Sequence, residues 1–551
     1  MRNISTFGAF TTTRLGIYAA QKGLEVTGNN ITNINTTGYT RQRLDQVSFV
    51  VGSADKYSSM YSNKVGNGVL MTGVSQLRDP FLDIAYRHAS ANLGSADAKL
   101  AGLEDIARIL DEVGNGEDGN GVLLDHLQEL SDQLNQMITE GAGHQEYEGL
   151  VRTAAKSLVT LFNSYAKDLS ELKGRYEEQL KQDTEAVNNI LKNIRELNES
   201  IRKADVRGDA ALELRDARNL ELDKLSQYID IEVRYELEDV GFGTKVEKMT
   251  ITLANQPPHN HTLVDGLYAG ELSVDNANGN YDMVLAPLKD KNGKQLDDKA
   301  ADVTLHDTDL HGSLQAVREM LTEDGEFHTA VDQNDPNAAT KRGIPYYEKA
   351  LNAMANQFAR VMNDANSALD AQGNRVDKPL FSNDGKGDDV TGITAGNISI
   401  SASWAEKTGW LTCSKDPNAP SGATDNLAHI LSQLTTASHE FTTGYGTAGL
   451  GPDDQPLKDE VFFTGTFRDM FLNIEGVLAN DTNSTTVLVE NYASTHNEVY
   501  VDRDSISGVD LNDEATSMMQ YQKAYSAACR MMTTLDQALD KLINGTGVVG
   551  L

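Results

Sequence analysis

Cysteine is nearly missing from this chain: its 551 residues hold only Cys413 and Cys529. Two thiols exclude a disulfide framework as the means of holding together an extracellular protein of this size. Cys529 falls within a helical pattern where bridging is awkward, so both read as small buried hydrophobes. Long apolar runs are missing too. No stretch of about eighteen apolar residues occurs, which excludes a membrane-spanning helix. Near the start, Arg2 and Arg14 interleave with Thr and Gly, unlike the apolar core of a secretory signal. The chain therefore reads as cytoplasmic or exported by another route. Basic residues are the minority, 48 Lys and Arg against 81 Asp and Glu, for a net charge of −33. That imbalance argues against nucleic-acid or anionic-membrane binding, which need basic patches to displace counterions. The acidity reads as a solubilising surface, with self-repulsion before assembly as the sharper alternative.

Catalytic constellations are absent as well. There is no H-E-x-x-H, P-loop, G-x-S-x-G or C-x-x-C. His306-Asp307-Thr308-Asp309-Leu310-His311 and His259-Asn260-His261 each crowd metal-binding side chains, but neither has a further ligand that spacing identifies, and both read as solvated loops. Gly114 to Gly121, with Glu117 and Asp118, lacks the ligand order of an EF-hand and reads as a connector. The expectation is a non-enzyme with no cofactor and no metal. At this length two to four domains are expected.

What is present is a matched pair of ends. Phe10, Ile17, Leu24 and Ile31 recur every seventh residue, with the small companions Thr13, Ala20 and Thr27 beside them. At the other end Leu511, Met518, Tyr525, Met532 and Leu539 form one line and Tyr521, Ala528, Leu535 and Leu542 a second, uninterrupted by Gly or Pro between Gly508 and Gly545. Stripes this thin cannot hold a helix in water alone, so each end needs a partner. Small against large, the line Thr13, Ala20 and Thr27 would let a helix bearing Tyr521, Ala528 and Leu535 approach closely.

Between the ends, the pattern from Pro80 to about Ile231 is helical. Its longest unit starts near Gln145, where Leu158, Tyr165, Leu172, Leu180, Val187, Ile194 and Ile201 keep one face apolar, Ile190 and Leu197 lie beside them, and one step of eight corrects the drift of a straight helix. From Ile231 the period shortens: Ile231, Val233 and Tyr235, then Val246, Met249, Ile251 and Leu253, read as strands of an inserted β-rich domain. Helix returns over 313–321, 345–369 and 425–436, a strand is expected over 397–403, and 461–477 with 485–505 lead back to the tail.

The N-terminal seam runs into a polar stretch, Asn29-Asn30-Ile31-Thr32-Asn33-Ile34-Asn35-Thr36-Thr37-Gly38-Tyr39-Thr40-Arg41-Gln42, ending at a Gly turn. This resembles the N-terminal signature of the axial proteins of the bacterial flagellum, with Thr32 and Thr37 as departures. Ser507-Gly508-Val509-Asp510-Leu511, with Asn512 to Ala515 and Gln520 to Tyr525, is similar to the axial tail. In the interior Leu214, Arg215, Asp216, Arg218, Leu222, Asp223, Leu225 and Ser226 match a block of the hook-associated protein 1 family that rod and hook proteins lack. Ile344-Pro345-Tyr346-Tyr347, Asn363, Pro379-Leu380-Phe381 and Thr394 to Ile398 resemble further blocks of that family.

The resemblance implies a structural subunit of the hook–filament junction that self-assembles through its terminal helices. It also implies type III export without a cleaved signal, contacts with hook subunits and the next junction protein, and a cytoplasmic chaperone on the C-terminal helix. Another axial protein, such as a hook subunit, or an exported enzyme carried on an axial scaffold, with the β-rich insertion as its seat and His306, Asp309 and His311 as the residues whose mutation would test it, are the alternatives. The expected fold is α+β and multidomain. Residues 1–42 and 505–551 form a terminal coiled-coil domain, and 43–231, 312–370 and 461–504 a helical stalk. Residues 232–311 form an inserted β-rich domain, and 371–460 a smaller mixed outer segment.

Overall fold

The computed structural model describes residues 6–49, 68–110, 122–140 and 145–545, apart from 242–244, 278, 307–308, 328–337, 371, 385–386, 417, 421 and 445–459. The expected connector at Gly114 to Gly121 lies outside the described residues, as do Asp307 and Thr308.

Helix α1 (Thr6–Thr32) leads into the hairpin β1 (Gln42–Ser48) and β2 (Val69–Gln76), and then into α2 (Pro80–Leu110), α3 (Val122–Glu140), α4 (Gln145–Val206) and α5 (Leu212–Tyr228). Six strands follow: β3 (Ile231–Asp239), β4 (Lys245–Leu253), β5 (Thr262–Asp265), β6 (Tyr268–Asp275), β7 (Asp282–Lys289) and β8 (Val303–Thr304). Next come α6 (Ser313–Thr322), α7 (Ile344–Ala365), the two-residue strands β9 (Ala368–Leu369), β10 (Arg375–Val376), β11 (Phe381–Ser382) and β12 (Ser399–Ile400), and helices α8 (Ala402–Glu406) and α9 (Asp425–Thr435). Strands β13 (His439–Thr442) and β14 (Val461–Gly465) precede the two closing helices, α10 (Phe467–Ser507) and α11 (Leu511–Asn544).

The 62-residue α4 is the spine, about 90 Å long at 1.5 Å per residue, and Gly174 does not break it. Leu158, Tyr165, Leu172, Leu180, Val187, Ile194 and Ile201 are all buried, so the eight-residue step keeps the apolar line on one side throughout. Near its start, the buried Glu148 accepts the backbone N–H groups of Gly409, Trp410 and Leu411, which ties the outer segment to the spine.

Strands β3 to β8 form one antiparallel meander in sequence order. One face of β4 carries the buried Met249, Ile251 and Leu253, and Val246 is buried on the other. Asn188 of α4 holds the sheet from both sides of one peptide position: its Nδ2 donates to Leu272 O and its Oδ1 accepts from Leu272 N, each at 2.7 Å. Tyr235 departs from the expectation for this sheet. The outer half of β3 extends past the core, leaving Tyr235 exposed with the Arg218 guanidinium 5.3 Å from its ring centroid.

Two other expectations need correction. The expected strand over 397–403 is reduced to Ser399–Ile400, because the Ser401 hydroxyl accepts from Trp404 N at 3.2 Å and caps a helix there instead. The two segments expected over 461–477 and 485–505 are, after the strand β14, one continuous 41-residue helix, α10, started by a capping box in which Thr466 and Asp469 satisfy each other's backbone N–H. Cys413 and Cys529 are both free thiols, and neither is fully buried.

Candidate assembly site

The three sequence blocks meet at one joint, far apart in the chain and adjacent in space. Asn30 organises the first. Its Oδ1 accepts from Gln42 N (3.0 Å) and from the Tyr39 hydroxyl (2.8 Å), while its Nδ2 donates to Gln42 O (2.9 Å). An amide that both donates and accepts pins the returning chain against the helix end. Asn29 donates to the Tyr39 hydroxyl and Gln42 Oε1, Asn33 donates back to Asn29, and Thr36 donates to Asn33 Oδ1. Gly38 makes the turn at φ +80°, where its Cα side faces Leu220 of α5 so closely that an added Cβ would lie 3.3 Å from the Leu220 Cβ. Asn35 is exposed and makes none of these bonds, and Ile31 is half-buried.

The interior block supplies the second wall. Thr40 donates through its backbone N and its hydroxyl to Asp216, at 3.1 and 2.6 Å. Asp223 accepts from Arg87 Nε (3.1 Å) and from Arg503 Nη2 (2.6 Å), and so joins α2, α5 and α10. Arg215 and Arg218 turn the other way, both onto Glu247 of β4, with Arg215 also on Asp205. Leu222, Leu225 and Ser226 are buried in the core, and Leu214 is half-buried.

The tail block closes the joint. Gly508 ends α10, Asp510 caps α11 by accepting from Asn512 N and Asp513 N, and the buried Glu514 accepts from Arg41 Nε at 2.7 Å. Arg41 also donates its backbone N–H to Ser507 O, so the two ends of the chain are bonded directly. These residues frame a cleft of about 750 Å³.

Electrostatics follow from this crowding. Burial pushes the Asp216 carboxyl up, outweighing the two Thr40 bonds and the Arg78 charge. Burial also acts to raise Asp83, but its bond to Arg78 and the charges of Arg78, Arg503 and Arg87 prevail and hold it below the usual carboxylate range. The Tyr39 hydroxyl is pushed well up by burial and by Asp216, and is protonated whenever the joint is folded. Arg78, Asp83, Arg87 and Arg503 were not singled out from sequence. Isolated charges carry no periodic signal, and only their convergence reveals them.

Beyond the joint, α1 and α11 run antiparallel, with Gly23 against the Tyr521 ring and Arg41 beside Asp513 and Glu514. The line Thr13, Ala20 and Thr27 is buried, whereas Phe10, Ile17, Leu24 and Ile31 are only half-buried. On α11, Met518, Tyr521, Tyr525, Ala528, Met532, Leu535 and Leu539 are half-buried, while Leu511 and Leu542 are exposed. The other interior blocks are structural: the Asn363 side chain is bonded to Leu380 N, Phe381 N and Phe381 O, and Asn397 Oδ1 accepts from Thr394 N.

Two terminal helices bonded through an Asn-rich turn and a Gly-capped tail, with a helical body and a sheet inserted between them, define a bacterial flagellar axial protein. Family models agree: residues 16–40 match the flagella basal body rod protein, 503–545 the C-terminal region of the flagellar basal body rod FlgEFG protein, and 110–381 the helical domain of flagellar hook-associated protein FlgK. The chain is 26% identical to flagellar hook-associated protein 1 of Bacillus subtilis, covering 99% of each chain. It is 21% identical to those of Salmonella typhimurium and Escherichia coli K12, covering 96% of this chain and 98% of each relative. It belongs to the hook-associated protein 1 family.

Proposed function

We propose that this structural subunit of the flagellum, at the junction of hook and filament, assembles there through the uncovered sides of α1 and α11. One observation carries this reading: α11 is a 34-residue helix in which Glu514 is the only buried residue. Its seam is half-covered by α1, and Leu511, Met519, Met531, Leu542 and Ile543 are all exposed. Helices in proteins gain most of their stability from packing an apolar face, so a helix left this bare is completed by neighbouring copies of the chain.

In that layer the terminal pairs line the axis and the helical body and sheet face outward, while hook subunits and the next junction protein meet the layer on its two sides. The role is non-enzymatic and needs no cofactor. Export proceeds through the flagellar type III route without signal cleavage. A cytoplasmic chaperone covers the α11 face until then, as a groove covers an amphipathic helix. Among the described residues no helix is long and apolar enough to cross a membrane.

Hydrogen exchange on the monomer and on assembled junctions tests the reading. Peptides within 6–42 and 505–545 exchange fast in the monomer and slow by orders of magnitude after assembly. Equal protection of both segments in the monomer and the assembly would overturn it.

A further inference from the structure

The two histidine-bearing loops that look unrelated in sequence are one cluster in space. His259 and His261, on the connection between β4 and β5, and Asp309, between β8 and α6, bring one ligand atom each within 4.8 Å of one another. His259 Nδ1 lies 3.1 Å from Asp309 Oδ1, and His261 Nε2 lies 3.8 Å from Asp309 Oδ2. Asp309 is 1% exposed, yet its Oδ1 has no hydrogen-bond partner: the His259 nitrogen is close, but not aligned to bond it. A buried carboxylate oxygen left this way is costly unless a cation satisfies it. Its other oxygen accepts the His306 N–H at 2.7 Å, and Asn255 donates to the Asp309 carbonyl at 2.6 Å, so the carboxylate is held from behind, as metal-bound carboxylates are. The His306 ring stands edge-on to His259, with centroids 5.5 Å apart.

We infer that His259, His261 and Asp309 form a binding site for a first-row divalent cation of the zinc class. Two imidazoles and one carboxylate are borderline-to-hard donors that suit Zn²⁺, with water in the fourth position, whereas Ca²⁺ takes six to eight oxygens. Ligand bonds of roughly 2.0–2.2 Å in a tetrahedron put neighbouring donors about 3.3 Å apart. The observed 3.1 Å to Oδ1 and 3.8 Å to Oδ2, with all three ligand atoms within 4.8 Å of one another, reach that spacing by side-chain rotation of the two rim histidines. The surplus of acid in this chain favours cation accumulation at its surface.

The position gives the site a consequence. Asp230, just before the sheet, donates its N–H to Leu310 O and His311 O and accepts from Ala254 N, so the chain's entry to and exit from the sheet run side by side here. A cation on these three ligands staples the β4–β5 connection to the exit segment and stiffens the root on which the sheet stands. His311 of the sequence-stretch 306–311 is exposed and takes no part.

Equilibrium dialysis of the full chain against Zn²⁺ at neutral pH, with Co²⁺ absorption as the reporter of geometry, tests this. The expected result is saturable binding of one ion per chain, a tetrahedral cobalt spectrum, and on the order of 100-fold weaker binding in the double variant His259→Gln, His261→Gln. The control His126→Gln, on α3, should bind as the parent does. Both histidines lie at the rim, so that variant keeps the buried Asp309 and its backbone bonds, and unchanged circular dichroism establishes that it folds. Asp309→Asn is the second variant, and it too should lose the ion. No saturable binding in the parent chain, or undiminished binding in the folded double variant, would overturn the inference. Neither result bears on assembly through the terminal helices, which this site does not touch.

Discussion

Helices α4 and α11 are written in nearly the same pattern, with apolar residues every seventh or eighth position along a long, mostly polar helix, yet they end in opposite states. On α4 every member of the main line is buried by α3, α5, the sheet and α7. On α11 the equivalent line is half-covered by a single helix, and no apolar side chain is buried. Periodicity thus specifies which face is to be buried, not whether this chain supplies the cover. A line completed at home contributes to the fold; a line left half-open contributes to assembly.

The largest effect that separates the two is a cavity in each. Leu172→Ala, at a fully buried position of α4, should cost about 3 kcal/mol of unfolding free energy. Met532→Ala, at a half-open position of α11, should change monomer stability by about 0.5 kcal/mol at most. Chemical denaturation of the monomer measures both, and assembly should be lost with Met532→Ala. A large loss of monomer stability with Met532→Ala would mean that α11 is already a core element.

Next in size is the joint. Arg503→Met removes the cation shared by Asp83 (2.9 Å) and Asp223 (2.6 Å) and leaves both carboxylates nearly buried. The pairs are not fully sealed from water, so the cost falls below that of a deeply buried ion pair, at about 2 kcal/mol. Because Asp83 is held below its ordinary range, its contribution is present above the unfolded carboxylate pKa of about 3.9 and is lost as pH falls through the folded value. Asp216 has the opposite sign. Its raised pKa means that its charge opposes folding at neutral pH and that protonation relieves this on acidification. Acid titration of Asp216→Asn against the parent chain should therefore show a steeper loss of stability with acid in the variant.

Much of this was legible in the sequence, for reasons particular residues show. The α4 line could be read because one repeating face imposes one spacing. The meander could be read from the β-branched alternation of β4, and the last helix from the stretch free of Gly and Pro between Gly508 and Gly545. The joint was half-legible. Asn30, Tyr39, Arg41, Asp223 and Glu514 lie within recognisable blocks, but Arg87 and Arg503, the partners of Asp223, lie outside them, and no spacing rule links Arg41 to Glu514 or Asp223 to either arginine. The His259, His261 and Asp309 cluster was read as two loops because sequence gives the spacing within each and not the distance between them. The opposite fates of α4 and α11 were beyond reach from periodicity alone.

A smaller test turns on close approach between α1 and α11. Gly23 lies so near the Tyr521 ring that an added Cβ would meet it at 2.5 Å. In an ordinary helix interior Gly→Ala is stabilising by up to about 1 kcal/mol. Here Gly23→Ala should instead loosen the pair by about 1 kcal/mol, since the ring must swing outward. Faster hydrogen exchange across 511–535 reads this, and slower exchange would place the helices further apart.

The smallest expected effect lies between α2 and the root of the sheet. His88 Nδ1 sits 2.6 Å from Asp230 Oδ1, and that bond, against partial desolvation, raises the imidazole above its ordinary value. A raised folded pKa means that the contribution is complete below about pH 6.5 and is lost as pH rises through the folded value. With the ring 40% exposed, solvent screening limits the effect to about 0.5 kcal/mol. His496, between α2 and α10, is shifted downward by burial and so works in the reverse direction, gaining as pH rises from its lowered folded value to about 6.5, just below the His88 window. The parent chain therefore shows two opposed slopes, a rise below about pH 6.5 from His496 and a fall above it from His88, and a variant assigns the second. Asp230→Asn should leave the His496 rise alone and flatten the fall above about pH 6.5. An unchanged slope would mean that the His88 pair is open to water and contributes nothing to holding the sheet on the helical body.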